Sequence, residues 1–364
     1  MRRTRFARAG CASLAMPCNH VGGMAHAIMA LDLDPGAVFV EADLPVSVRM
    51  EPELVLCPND LGRVMNVLET ATGCDHVGLV VAQSGIPVGA EFLLLYAPDL
   101  GTGLRAFLSA LNAGPGALVS RLDLIEGFVT LRFAVAGSCP PGAPHLLDCA
   151  VAYIYALLSR YCDDAFTVDQ ISFSRRPPAD IGPYRKQFGR TKLCFDSGET
   201  QIEFHESLMS HVSRGSDIEL FNFLSREIRW NSSTEADLVS AATKRLKFML
   251  SEEGGKPSML AAEFSLSQRT LNRRLSARGV SFRNLVAQAR LDNARYLLLH
   301  TDMPISRLAF AAGYADATAL SRAFKAIEGV TPLTYRRSRT TTQLGQSWSA
   351  VRFSMSSMMS VAAE

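Results

Sequence analysis

The sequence lacks the features that define several classes of protein. None of its hydrophobic runs reaches the ~18 residues that a membrane-spanning helix requires. It contains no G-x-S-x-G nucleophile elbow, no phosphate-binding G-x-x-x-x-G-K-[ST] loop and no H-E-x-x-H zinc motif. The nearest metal-binding pattern is His205-Glu206 with His211, but this spacing does not place two ligands on one helix face. We therefore predict no catalytic residues, no metal site, no cofactor and no membrane span.

Cysteine is present without a pairing pattern. The chain has eight cysteines, all before residue 195, and none of them forms a C-x-x-C pair. The basic N-terminus precedes residues 9–16, a segment too short and too polar for a signal peptide. The chain could also start at Met24 or Met29. Without an export signal, we expect reduced thiols, mostly buried as small apolar groups, in a cytoplasmic protein.

Composition and charge indicate two modules. The 364 residues are 48% hydrophobic and 20% charged, which is typical of a globular protein with about two domains. The net charge of +2 is unevenly distributed. Residues 244–339 carry 17 lysines and arginines against 7 aspartates and glutamates, a net of +10, whereas the remainder is net −8. This split predicts a basic module that binds a polyanion, joined to an acidic module with another task.

The N-terminal half mixes helix and strand patterns, so we predict an α+β domain over residues 25–230. The patterns predict helices at 61–70 and 145–162, and a β-hairpin over 117–136 that turns at Glu126-Gly127. A second hairpin is predicted over 192–205, turning at Asp196-Ser197-Gly198. Most aromatic residues here are expected in the core, although some could line a ligand pocket: Phe92, Tyr96, Phe107, Phe128, Phe133, Tyr153 and Tyr155.

The remaining boundaries follow from composition. Residues 1–24 are predicted to be a flexible N-terminus and 231–236 a polar linker. Residues 340–364, rich in serine, methionine and threonine, are predicted to be a disordered tail. Between linker and tail, over residues 237–339, only helical patterns occur.

An internal repeat is the strongest signal in this all-α segment. Its copies cover residues 260–275 and 308–324, offset by 48 residues and, after Ala315, by 49. In each copy a short helix leads through a tight turn, at Ser265 or Gly313, into a second helix. That second helix begins with a capping residue, Ser267 or Asp316, and buries two apolar side chains four residues apart. This plan is a helix-turn-helix, whose second helix enters the DNA major groove.

One long helix is predicted between the copies, over residues 281–300, because its apolar residues recur at helical spacing. A helix of about 18 residues spans roughly 27 Å. It could set two recognition helices about one DNA turn, ~34 Å, apart. Gly279 and Gly329 follow the two recognition helices, where a left-handed residue ends a helix at little cost.

Residues 237–336 resemble the DNA-binding domain of the AraC/XylS family of bacterial transcription regulators. The matching segments are residues 267–275, 279–282, 308–314, 321–325 and 329–336. The sequence departs from the family pattern at Ser265, where glycine is common, at Ala317, where proline is common, and at Leu320, where phenylalanine is common.

The N-terminal half is similar to the arabinose-binding-like domain of one branch of this family. The similarity runs from Leu61 to Phe221 and includes Ile171-Ser172-Phe173 before Pro177-Pro178. Together the two resemblances imply an α+β sensor domain followed by an all-α DNA-binding domain, with two helix-turn-helix motifs joined by a linker helix.

The outward faces of the two second helices hold the candidate DNA-binding residues. Arginine can pair with guanine, and asparagine with adenine, through two hydrogen bonds, which makes Arg269, Asn272 and Arg273 candidates for reading bases. Thr318 and Arg322 are the candidates in the second copy, whereas lysine and other arginines would contact phosphate. Any one of these residues could instead be part of a solvated helix face. The predicted set is Gln268, Arg269, Asn272, Arg273, Arg274, Thr318, Ser321, Arg322 and Lys325.

The resemblance implies a sequence-specific transcription regulator that binds double-stranded promoter DNA. It also implies an activator that contacts RNA polymerase, responds to a small-molecule effector of unknown identity and dimerises. Two alternatives stay open. An enzyme fused to a DNA-binding domain, such as a DNA-repair methyltransferase, would need an activated cysteine that no motif supplies, so we predict no enzyme. An N-terminal half that binds only another protein is not distinguished by sequence.

Overall fold

The computed structural model describes residues 21–44, 56, 58–83, 90–113, 118–135, 142–163, 166–232, 238–253, 256–264 and 266–337. In the N-terminal part, α1 to α6 are Val21–Met29, Pro35–Glu41, Pro58–Thr72, Val77–Gln83, Glu91–Leu95 and Leu100–Ala113. They are followed by β1 (Leu118–Ile125), β2 (Phe128–Val135), α7 (Ala143–Cys162), β3 (Gln170–Ser172), α8 (Gly182–Phe188), β4 (Lys192–Cys194), β5 (Thr200–His205) and α9 (Ile218–Ser232).

Within the described ranges, the C-terminal part contains no strand. Its helices are α10 (Leu238–Glu253), α11 (Pro257–Glu263), α12 (Gln268–Ser276), α13 (Phe282–His300), α14 (Ile305–Ala311) and α15 (Ala317–Glu328). The predicted fold class, α+β followed by all-α, is therefore confirmed. In the part of the chain described here, no helix has the length and hydropathy that a bilayer crossing requires.

Local patterns predicted several N-terminal elements correctly. Helices α3 and α7 lie where the apolar periodicity placed them, and β1 and β2 form the first predicted hairpin. Its turn residues, Glu126 and Gly127, have φ angles of 51° and 85°. Positive φ at both positions is the requirement of a type I′ turn, whose twist matches that of the flanking strands.

The second predicted hairpin is wrong. Strands β4 and β5 are not neighbours, because β3 lies between them in the sheet order β1-β2-β5-β3-β4. The predicted turn bonds instead to the segment that follows β3: Asp196 N donates to Arg175 O, and Ser197 N donates to Phe173 O. Strand β3 has only three residues, too few to show a period, yet its Ile171 is fully buried between two neighbouring strands.

Two domain boundaries also differ from those predicted. Residues 21–24 were predicted to be flexible, but they open α1, and Met24 is fully buried because it packs into the N-terminal core. Asn231 and Ser232 were assigned to the linker, but they complete the last turn of α9. The other predicted linker residues and the predicted tail from residue 340 lie outside the described residues.

The linker helix α13 supplies residues to two separate cores. Its first half contributes Leu285 and Ala289 to a cluster with α10, α11 and α12. Its second half contributes Leu291 and Leu297 to a cluster with α14 and α15. Tyr296 packs against both this second cluster and the N-terminal core. One continuous helix therefore fixes the relative placement of the two helix-turn-helix units.

Candidate nucleic-acid interface

Both recognition helices, α12 and α15, begin at a side-chain cap. The Ser267 hydroxyl accepts a hydrogen bond from the backbone N–H of Thr270 at 3.2 Å. The Asp316 carboxylate accepts one from the N–H of Ala319 at 2.7 Å. Each bond satisfies an N–H that lacks a partner within its own helix, so both helices start where the sequence predicted.

The burial pattern of the two helices is the same. Leu271 and Leu275 on α12, and Leu320 and Phe324 on α15, are fully buried. Because residues four apart lie on one face of a helix, each recognition helix presents the opposite face to solvent.

The nine predicted site residues lie on these solvent faces. Seven are exposed and two, Asn272 and Ser321, are partly buried. The exposed residues are Gln268, Arg269, Arg273, Arg274, Thr318, Arg322 and Lys325.

The cations on these faces are Arg269, Arg273, Arg274, Arg322 and Lys325, and none of them is within salt-bridge distance of a described carboxylate. Their charge is therefore not neutralised by that part of the chain. It is available to a polyanion such as the DNA backbone.

The second turn depends on glycine at close approach. Gly313 has φ of 84°, and a Cβ placed there would lie 3.0 Å from both Cβ and O of Leu250 on α10. The corresponding turn residue of the first unit, Ser265, lies outside the described residues. Gly279 and Gly329 have φ of 72° and 75°, which confirms the predicted left-handed residues after α12 and α15.

The linker helix has the length that the sequence predicted. It contains 19 residues, which at ~1.5 Å each span roughly 28 Å. Because its two halves anchor the two units, this length controls how far apart α12 and α15 are held.

A junction between the linker helix and the N-terminal domain was not predicted from sequence. The Ser174 hydroxyl lies 2.7 Å from that of Thr200 and donates to the Tyr296 hydroxyl at 3.2 Å. Next to it, Arg176 N donates to the carbonyl of His300 at 2.8 Å. Ser174 and Arg176 are more than 100 positions from Tyr296 and His300, so no local pattern connects the two sides of the junction.

A buried ionic group lies beside this junction. Asp148 accepts hydrogen bonds from Arg175 and from the Tyr184 hydroxyl, both at 2.5 Å. Burial alone would lower the pKa of Arg175, but the charge of Asp148 raises it, so the guanidinium stays charged. Burial, followed by the Asp148 charge, raises the pKa of Tyr184, which keeps its hydroxyl protonated as a donor.

His300, the last residue of α13, is close enough to Arg175 and Arg176 for their charges to affect its pKa. Desolvation, followed by the positive charges of Arg176 and Arg175, lowers the pKa of His300 to about 3. Its ring is therefore neutral at pH 7.

Two of the described cysteines, Cys74 and Cys162, are poor nucleophiles. Burial, followed by the Asp163 charge, raises the pKa of Cys162 to about 11, and burial raises that of Cys74. Both thiols remain protonated near neutral pH, and a thiol is a far weaker nucleophile than a thiolate. Within the described ranges, no three histidine, cysteine or acidic side chains group as a metal site would require.

Two capped recognition helices, held by one linker helix beside an α+β domain, define a double helix-turn-helix regulator. The family pattern "Helix-turn-helix domain" matches residues 260–338. The pattern "Arabinose-binding domain of AraC transcription regulator, N-term" matches residues 33–211. The chain belongs to the AraC/XylS family of transcription regulators.

Two similar proteins match most of the chain, and a third matches a little over a third of it. The HTH-type transcriptional regulator VirS of Mycobacterium tuberculosis is 32% identical over 318 residues, 84% of this chain and 92% of that protein. The ornithine utilization regulator of Pseudomonas aeruginosa is 24% identical over 310 residues, 80% of this chain and 88% of that protein. The HTH-type transcriptional activator RhaS of Escherichia fergusonii is 31% identical over 145 residues, 36% of this chain and 51% of that protein.

Proposed function

We propose that the exposed faces of α12 and α15 read two half-sites of a promoter, with Arg273 and Arg322 as the principal base contacts. The observation that carries the proposal is their equivalence. The two arginines occupy the same place in the repeat and are both exposed, on helices whose opposite faces are buried. Arginine recognises the guanine O6 and N7 edge with two hydrogen bonds, which makes these positions suited to sequence readout.

The remaining predicted residues have supporting roles in this proposal. Asn272 and Arg269 contact neighbouring bases, and Thr318 does so in the second half-site. Arg274 and Lys325 contact phosphate and position the protein without reading sequence. Gln268 and Ser321 complete the two faces with polar side chains.

The experiment is genome-wide recovery of DNA bound to the tagged protein, repeated with Arg273→Ala plus Arg322→Ala. Discrete peaks that share a two-part motif, with half-sites about 10 bp apart, and that disappear in the double variant support the proposal. The matched control is Arg337→Ala, an exposed arginine outside both recognition helices, which should retain the peaks. Peaks that persist in the double variant would overturn the assignment.

We also propose that the protein activates transcription through RNA polymerase and does so as a dimer under control of a small effector. The activator named among its relatives supports this direction. A reporter gene fused to a recovered promoter tests the direction of control. If the protein is an activator, deleting its gene lowers expression of the reporter. Expression that rises on deletion would indicate a repressor. A small molecule that raises the melting temperature of the protein would support effector binding over a purely protein-binding N-terminal domain.

A further inference from the structure

The two ends of recognition helix α15 are held by different contacts. Its start is capped locally by Asp316, as described above. Its end is held from another helix, because Arg295 of the linker helix α13 bonds to the carboxylate of Glu328. Nε of Arg295 donates to Glu328 Oε1 at 3.0 Å, and Nη2 donates to the same oxygen. The linker helix therefore grips the last residue of a helix whose exposed face is proposed to read DNA.

Arg295 is itself held in one orientation. Its Nη1 donates to Oδ1 of Asp292 at 3.0 Å, and the side-chain amide of Gln288 donates to the same oxygen at 2.9 Å. Asp292 is 3% exposed, so its carboxylate has little room to move. All three guanidinium nitrogens of Arg295 are thus bonded to two carboxylates. Because the guanidinium is planar, it cannot turn without breaking one of these bonds.

The charge of Arg295 also matters for the end of α15. Burial alone would lower the pKa of Arg295, but its hydrogen bonds to Glu328 and Asp292 and their charges raise it, so the guanidinium stays charged. Glu328 lies in the last turn of α15, at the negative end of the helix dipole. A carboxylate there is unfavourable unless a cation neutralises it. The order of this last turn therefore depends on Arg295.

A small change at the end of α15 would be large at its base-reading residue. If Glu328 were released, the helix would pivot about its capped start at Asp316. Arg322 lies six residues after Asp316, a distance of about 9 Å along the helix axis. A tilt of about 10° would displace Arg322 by roughly 1.5 Å, whereas a functional contact tolerates about 0.5 Å.

The first helix-turn-helix unit lacks an equivalent contact. Recognition helix α12 contains no acidic residue, so no arginine of the linker helix can form an ion pair with it. In the part of the chain that the structure describes, no salt bridge joins α12 to α13. The effect of Arg295 should therefore be confined to the second unit, although the two units share one repeat.

We propose that Arg295 is a positioning residue for sequence readout at the second half-site. It contacts no base itself. It acts through Glu328 and holds α15 at the angle at which Arg322 meets the bases, while Asp292 holds Arg295 on the linker helix. The inference rests on the proposed function, because it assumes that α15 reads a half-site.

The test measures binding of the full chain to a recovered promoter fragment and to all single-base variants of both half-sites. Arg295→Met and Glu328→Met should each lower discrimination between bases in the second half-site about 10-fold, which is within the contribution of one bidentate arginine contact. Discrimination in the first half-site should not change. The two substitutions alter net charge in opposite directions, so sequence-independent affinity should fall in Arg295→Met and rise in Glu328→Met. A purely electrostatic effect would not lower discrimination in both.

Three further proteins complete the design. The double variant should lose no more discrimination than Arg295→Met alone, because Arg295 acts through Glu328. The matched control is Arg160→Met, the same charge loss at an exposed arginine in the last turn of α7, which should discriminate like the wild type. Arg322→Ala should lose discrimination in the second half-site. If Arg295→Met is too unstable to measure, Glu328→Met carries the test, since it leaves Arg295 paired with Asp292.

The outcomes separate this inference from the proposed function. A parallel loss in both half-sites would indicate a contribution to folding alone and would overturn the positioning role. Wild-type discrimination in Glu328→Met would overturn it as well. If Arg322→Ala loses discrimination in the second half-site but Arg295→Met does not, only the positioning role fails. If Arg322→Ala itself discriminates like the wild type, the proposed readout by α15 fails, and the role of Arg295 fails with it.

Discussion

Ser174 and Tyr296 are 122 positions apart in sequence, yet their hydroxyls are joined by a 3.2 Å hydrogen bond. Ser174 follows β3 of the N-terminal domain and Tyr296 lies in the second half of the linker helix. This bond is a direct side-chain link between the sensor domain and the helix that carries both DNA-binding units.

The first prediction concerns the energy of this link. A double-mutant cycle with Ser174→Ala and Tyr296→Phe should give a coupling of about 0.5–1.5 kcal/mol, the usual net contribution of a neutral hydrogen bond. The measurement is urea unfolding of the four proteins. The cycle removes the separate effect of the Ser174–Thr200 bond, which appears in both backgrounds. Additive single effects would show that the two hydroxyls are not coupled in solution.

The second prediction separates base readout from phosphate contact. Arg273→Ala should weaken binding to the cognate site by about 1–3 kcal/mol and relax specificity at one base pair. Lys325→Ala should weaken binding equally on all sequences and reduce the salt slope of log K by about one. Competition binding on a library of single-base variants distinguishes the two. A uniform loss for Arg273→Ala would reassign Arg273 to a phosphate.

The third prediction concerns the turn of the second helix-turn-helix unit. Gly329→Ala, in the same unit, adds a Cβ with no neighbour within 4 Å, so only the left-handed backbone opposes it, at about 1–2 kcal/mol. Gly313→Ala has the same backbone strain and a clash with Leu250, so it should be destabilising by about a further 1–3 kcal/mol. Hydrogen-exchange protection of α14 amides measures this difference. Equal losses would mean that α10 moves away freely.

The fourth prediction concerns the buried ionic group. Arg175→Leu leaves Asp148, which is 1% exposed, without its charged partner, and should lower the free energy of unfolding by about 3–5 kcal/mol. Tyr184→Phe removes the hydrogen bond that the hydroxyl donates to Asp148 and the one that it accepts from Arg175, and should lower the free energy of unfolding by about 1.5–3 kcal/mol. Denaturant titration provides both values. A loss for Arg175→Leu no larger than for Tyr184→Phe would show that Asp148 becomes protonated or hydrated.

The fifth prediction concerns pH. The pKa of His300 is about 3 in the folded protein, against the ordinary histidine value of 6.5. Between these values the unfolded chain binds more protons, so stability is lost as pH falls below about 6.5. The melting temperature should therefore decrease less between pH 7 and pH 5 in His300→Gln than in the wild type. His26→Gln, at an exposed histidine, is the control and should keep the wild-type slope.

The DNA-binding part could be predicted closely from sequence because its determinants are local. The caps Ser267 and Asp316 act within three residues, and the buried pairs lie four residues apart on one helix. The internal repeat contains this pattern of cap and buried pair twice. These features define a double helix-turn-helix before any tertiary contact is known.

The sheet order could not be predicted in the same way. A turn signal at residues 196–198 correctly indicated a change of direction, but not which strand would pair next. Strand pairing depends on Ile171 of β3, which pairs with Leu193 of β4 on one side and with Ile202 of β5 on the other. The three residues belong to separate segments of the chain. Side-chain periodicity and turn residues carry no information about β3, the three-residue strand inserted between β4 and β5.

The sequence by itself determined the family, the two recognition helices, the linker helix and the positive charge on the exposed faces of the recognition helices. Only the tertiary structure decided where Ser174 meets Tyr296 and where Arg295 meets Glu328, and so how the sensor domain and the second recognition helix are held against the linker helix. The physical reason is range. Capping and helical periodicity act over a few residues, whereas a junction is fixed by the packing of surfaces whose residues are far apart in sequence.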